Sequence, residues 1–212
     1  MQQSITRLNR DVHQPKILLM PVDIELTRLT AAGLEEPRAD WTAAAKRNVI
    51  EVLREEQRRR GNAMVEYHDD PASASDDEVF DELSKLHGVV GATIAEQSPP
   101  HTALPTKRTF DWSLGPEVRK FKQRYDADYA LFIYIRDSYT GGGRRTAMIV
   151  AAALGFIGSA FWGGEQVGYS SLVDLNTGDI VWFSQLDRLR GDLRTKKRAE
   201  ETLRKLLAGL PR

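Results

Sequence analysis

Apolar positions along the chain fall into short runs separated by longer periodic stretches, and that alternation predicts an α/β fold. Lys16-Ile17-Leu18-Leu19-Met20-Pro21-Val22 is a brief apolar run between polar residues, as in a buried strand. Pro21 has no amide proton for a ladder, so it marks the strand's end or a bulge. Residues 26–39 show no period and read as a loop. From Trp41 to Arg60 the spacing becomes helical, with Trp41, Ala45, Val49, Val52 and Leu53 on one stripe. Asp40 suits the N-cap, and Arg58, Arg59 and Arg60 complement the negative C-terminal end before Gly61. Ala63 to Tyr67 alternates weakly and reads as a strand. Ser75 and Glu78 form a capping box for a second helix with Val79, Leu83, Leu86 and Val90 inward.

Residues 97–115 carry Pro99, Pro100 and Pro105 with little periodicity, an uncommon length for a loop in a compact domain. Pro116 suits the first turn of a third helix, with Val118, Phe121 and Tyr125 inward. Tyr129 to Ile135 is apolar on both faces and predicts a central strand. Gly141-Gly142-Gly143 and a charge-free segment, 146–162, follow. A hairpin comes next: Gly168 to Leu175, the turn Asn176-Thr177-Gly178-Asp179, and Ile180 to Ser184. The last helix runs from about Leu193 to Ala208, with Ala199, Leu203, Leu206 and Leu207 as its apolar face. The expectation is a flexible leader over 1–15, then a single α/β domain over 16–212. That domain has a mixed β-sheet with helices packed on it in two or three layers, closed by a C-terminal β-hairpin plus helix.

At 212 residues the chain buries enough apolar surface to fold without a metal or disulfide. Lysine plus arginine equals aspartate plus glutamate, 30 against 30, and this balance argues against nucleic acid as the partner. The absence of cysteine excludes a disulfide scaffold, a thiolate zinc site and cysteine catalysis. Met1-Gln2-Gln3-Ser4 is polar at once and carries no signal peptide. Met1 reads either as a cytosolic start or as a replacement for an exported leader or a lipoprotein's lipid-bearing cysteine.

Candidate chemistry is sparse. Of His13, His68, His87 and His101, only His68 has acidic neighbours, Asp69 and Asp70, and neighbouring loop residues rarely converge on one metal ion. His68-Asp69-Asp70-Pro71 reads as turn chemistry. Neither HExxH nor GxSxG occurs. No catalytic residue, metal or cofactor is expected, so the chain reads as a binding protein. The alternative is a soluble enzyme or a nucleotide- or phosphate-binding protein using the glycine-rich connection 141–146, whose backbone N–H groups would meet a phosphate. Neither the full P-loop spacing nor GxGxxG is present.

Thr146 to Trp162 runs 17 residues without a charge, short of the ~20 a spanning helix needs. Gly155 and Gly158 permit close backbone approach. Three readings stay open: a helix buried against the sheet or a second copy; a membrane-surface contact flanked by Arg144, Arg145 and Trp162; and a refolding pore segment. The last two would make the chain a membrane-active oligomer. Asp187 to Lys205 carries eight basic against four acidic residues, either a contact for anionic lipid or glycan or a solvated helix face. Phe110 and Trp112, together with Trp162, are candidates for partner contact, since rigid aromatics dominate interface energetics. The other reading of Phe110 and Trp112 is closure over the core edge.

Three stretches carry a family resemblance. Lys16 to Val22 resembles the proline-ended first strand of small α/β domains in bacterial envelope lipoproteins. Ala127-Asp128-Tyr129 through Ile135 resembles their acidic helix end followed by a central strand. Ser171 to Trp182 resembles their hairpin, with a D-x-x-T-G turn and a second strand ending in tryptophan. The group includes the penicillin-binding-protein activator lipoproteins, the curli secretion lipoprotein and the N-terminal domain of the Tol-Pal propeller protein. It implies a non-catalytic, lipid-anchored periplasmic protein at the outer membrane, binding a protein partner or itself in envelope biogenesis or secretion; a cytoplasmic protein is the alternative. Residues 144–162 have no counterpart in the activator lipoproteins.

Overall fold

The longest strand sets the architecture. In the computed structural model, which describes residues 3–4, 15–30, 34–60, 64–68, 74–97, 110–140, 166–186 and 192–211, β6 (Tyr129–Thr140) is bonded along both edges. On one edge its first half pairs in parallel with β2 (Ile17–Leu19) and its second half with β3 (Asp23–Leu29). Four positions carry the chain from Leu19 to Asp23 while β6 uses three from Leu131 to Tyr134, so one extra residue is accommodated around Pro21. The other edge pairs antiparallel with β7 (Gln166–Asp174), and β7 with β8 (Ile180–Gln185). β5 (Met64–Glu66) lies parallel beyond β2, β4 (Glu35–Pro37) antiparallel beyond β3, and β1 (Gln3–Ser4) antiparallel beyond β8. The result is a mixed sheet with helices packed on it and a C-terminal hairpin plus helix, the α/β domain expected from the pattern.

Helices cover both faces, so the layers number three. On one side lie α1 (Ala39–Arg60) and α4 (Lys196–Leu206). On the other lie α2 (Ala74–Glu96) and α3 (Arg119–Tyr125), the latter entered through a 3-10 turn at Pro116–Val118. β6 feeds two cores by alternation. Leu131, Ile133 and Ile135 meet Val49 and Leu53 of α1 and Leu203 and Leu206 of α4. Ala130 and Phe132 meet Leu83 and Ile94 of α2 and Phe121 of α3.

Local chemistry explains how the strands start. Asp126 ends α3 in the left-handed conformation, at φ 50°. Two residues on, the Asp128 carboxylate accepts the Lys16 N–H at 2.9 Å while the Asp128 N–H donates to the Lys16 carbonyl at 2.9 Å. The residues just before β2 and β6 are thereby clamped in register. The hairpin turn is stitched by Asp174, whose side chain accepts the Asn176 N–H at 2.7 Å and whose carbonyl accepts the Gly178 N–H at 2.8 Å. Gly178 sits at φ 87° with the Gly115 backbone against it, a place without room for a side chain.

Three expectations need correction. Residues 26–39 are not simply a loop: β3 and β4 form an antiparallel hairpin there, and β3, held against the distant β6, buries Ile24 and Leu26 in the core shared with α1. Asp40 lies inside the first turn of α1 rather than at its cap, and pairs with Arg38 at 2.9 Å. The inward stripe of α2 includes Leu83, His87 and Ile94, leaving Leu86 41% exposed. α2 crosses the sheet on glycines: Gly91 lies against the Tyr169 ring and Gly88 beside the Tyr134 ring.

Those two glycines predict substitutions of opposite sign. A Cβ at Gly88 meets the Tyr134 ring at an ordinary 3.7 Å, so Gly88→Ala should stabilise by about 0.5–1 kcal/mol through helix propensity. A Cβ at Gly91 would overlap the Tyr169 ring, so Gly91→Ala should destabilise by about 1–3 kcal/mol despite the same propensity gain. Urea midpoints of the two variants check the crossing; equal shifts of one sign would contradict it.

Candidate functional site: a groove between two helices

At the C-terminal end of β6, on the α1/α4 side, four elements meet in a polar cluster. Asp137 is 3% exposed. Its Oδ2 accepts the Tyr139 hydroxyl and, at 2.7 Å, the Gln166 side-chain amide. Thr202 of α4 donates to Gln166 Oε1 at 3.1 Å, and the Leu193 N–H donates to the Tyr139 hydroxyl at 3.0 Å. Trp41 of α1 stands edge-on to Tyr139 at 5.6 Å. The Arg38 and Arg194 guanidinium groups lie 4.4 Å and 4.6 Å from its ring centre. Each arginine is also forked onto a carboxylate, Arg38 onto Asp40 and Arg194 onto Asp192.

Burial raises the Asp137 pKa to about 6, against the opposing hydrogen bonds from Tyr139 and Gln166. Burial, reinforced by the neighbouring Asp137 carboxylate, raises that of Tyr139 too. The Arg194 fork lowers that of Asp192. Every polar group here is turned toward another, so the cluster joins β6, β7, α1 and α4 rather than presenting a reactive atom.

On the opposite face, His87 is 2% exposed, stacks on Phe132 at 5.0 Å, and has Nε2 2.9 Å from Ser171 Oγ. Burial lowers its pKa to about 3, so it stays neutral. A histidine beside a serine suggests nucleophilic catalysis, but Ser171 is fully buried and no substrate carbonyl reaches the pair. His68 is exposed, with its carbonyl accepting Tyr125 Oη at 3.0 Å. His13, His101, Asp69 and Asp70 lie outside the described residues. Among the described residues no group of three or more His, Asp or Glu is placed to share a metal ion.

A groove of about 670 Å³ opens between the last turns of α1 and α4. Val52, Leu203 and Leu207 form its floor, with Arg58 from α1 and Glu200 and Arg204 from α4 among its lining. Glu55 turns to Lys196 at 2.9 Å and Glu56 to Arg59. The Lys196 hydrogen bond lowers the Glu55 pKa. Arg58 and Arg204 are exposed and make no ion pair among the described residues.

Phe110 and Trp112 are partly buried against the α2/α3-side core, and the Trp112 carbonyl accepts the Ile180 N–H at 2.8 Å. Arg144, Arg145, Gly155, Gly158 and Trp162, the glycine-rich connection and all of 146–162 lie outside the described residues. Three of the eight basic residues of the C-terminal stretch are paired: Arg194 with Asp192, Lys196 with Glu51 and Glu55 of α1, and Arg198 with Glu201. The sequence carries no sign of the groove, because α1 and α4 meet across a separation of 145 residues, as between Glu51 and Lys196. No helix among the described residues is long and apolar enough to cross a membrane. No protein-family model, curated protein or solved structure matches the chain.

The buried carboxylate sets a pH dependence. The folded pKa of Asp137, about 6, lies above the ordinary 3.8, so ionisation opposes folding. The penalty is absent below pH ~4, grows to pH ~6 and is complete above. Asp137→Asn should raise stability at pH 7.5 by up to about 3 kcal/mol, and the difference from wild type should vanish near pH 4. Paired urea titrations across that range measure the difference directly; one that ignores pH would show the carboxylate is not desolvated.

Proposed function

We propose that this chain is a non-catalytic binding protein of the bacterial cell envelope, a periplasmic lipoprotein that holds a protein partner or assembles with itself. The observation that carries this reading is the α1/α4 groove. Its lining is arginine, glutamate, aliphatic side chains and glycine, with no hydroxyl or imidazole. Glu55 is held ionised by Lys196, the reverse of what a general acid requires. Charge set around a narrow apolar floor is the chemistry of recognition. The envelope assignment rests on the resemblance of residues 16–22, 127–135 and 171–182 to the lipoprotein domains.

Two measurements test the two halves. The purified chain should turn over no ester, phosphoester or peptide substrate, with or without divalent metals; turnover lost on His68→Ala would overturn the non-catalytic half. Expressed from its gene with native upstream sequence, the protein should incorporate palmitate and fractionate with the outer membrane. A cytosolic, unlabelled product would overturn the envelope half.

A further inference from the structure

We infer that the outward face of α2 is a self-association surface, on which a second copy of the chain lays its own α2 antiparallel, so that Lys85 of each copy meets the partner's Glu96. This rests on the self-assembling form of the binding-protein reading and adds where the copies touch. α2 packs on the sheet through Leu83, His87 and Ile94, and its opposite face looks outward. Four large hydrophobic side chains are exposed among the described residues, and two of them, Leu86 at 41% and Val89 at 66%, stand one turn apart on this helix. Ala92 beside them is exposed too. The Thr93 hydroxyl donates to the Val89 carbonyl at 2.9 Å, so covering it leaves no polar group unsatisfied.

Two charges bracket this apolar strip. Lys85 and Glu96 are exposed, and neither makes an ion pair among the described residues. Their spacing is about three helical turns, which puts them on one side of α2 at opposite ends of the strip. A parallel copy in the same register would set like charge against like. An antiparallel copy sets cation against anion twice, and its two-fold axis closes the contact on itself. With residue 85 opposite residue 96, Leu86 and Val89 lie over the partner's Ala92 and the partner's Thr93, large side chains against small ones. The remaining acidic residues of the helix, from Asp76 to Glu82, lie nearer its start. In this register they fall beyond the end of the partner's α2, clear of the partner's Glu96. The contact covers little more than three turns, so the dimer should be weak and reversible.

Sedimentation velocity of the full chain over a concentration series provides the test. Wild type should pass reversibly from monomer to dimer, and the balance should move toward monomer as salt rises. Lys85→Glu and Glu96→Lys should each weaken dimerisation roughly tenfold or more, since each sets like charges together. An equimolar mixture of the two single variants should recover it, as should the variant carrying both changes, because each restores opposite charges across the contact. Both side chains are exposed, so circular dichroism and urea midpoints should stay at wild-type values. A wild type still monomeric at about 1 mM, where even a weak specific contact is populated, would overturn the assignment. So would a dimer that neither reversal weakens, or one that the mixture fails to recover. None of those results bears on turnover or palmitate labelling, so the two proposals fail separately.

Discussion

The structure depends on one backbone obligation. β6 runs for twelve residues through the middle of the sheet, and a buried strand must have its amides and carbonyls bonded on both edges. Neither β2 nor β3 is long enough to satisfy one edge alone. The chain solves this by running two short strands in series and absorbing one surplus residue at Pro21, the one residue type with no amide to leave unpaired. The Lys16–Asp128 clamp then sets the register from which the rest of the parallel pairing follows. With β6 fixed, its alternating side chains divide the helices between two cores.

Features written in adjacent residues were legible. Tyr129 to Ile135 is apolar on both faces because both faces are covered, and the hairpin around Asn176 announces itself through Asp174, Thr177 and Gly178. The stripes of α1 and α4 follow the helical period and are buried as expected at Val49, Leu53, Ala199 and Leu203. What was not legible came from partners far away. β3 reads as polar loop because its outward residues are charged, and β1 reads as leader because two polar residues carry no period. Leu86 matched the helical period of α2, yet the helix lies on the sheet with Gly88 and Gly91 against tyrosine rings and His87 inward instead.

The groove was less visible still. Arg58 looks like a complement to the end of α1, and Arg204 like one charge among many in a basic stretch. Their shared place in the groove lining appears only once α1 and α4 are packed together. Charge balance over the whole chain says nothing of where the charges meet, and here three arginines and three glutamates from two distant helices line one groove.

The hydrogen bond between Asp137 and Gln166 joins residues opposite one another in the β6–β7 register, four positions before the interval 141–165 and immediately after it. The entrance and exit of that interval are therefore neighbours, held by the sheet whatever lies between them. The end of β6 and the start of β7 are thus fastened twice, once by the backbone ladder and once by a side-chain bond across it, and Thr202 ties that double fastening to α4.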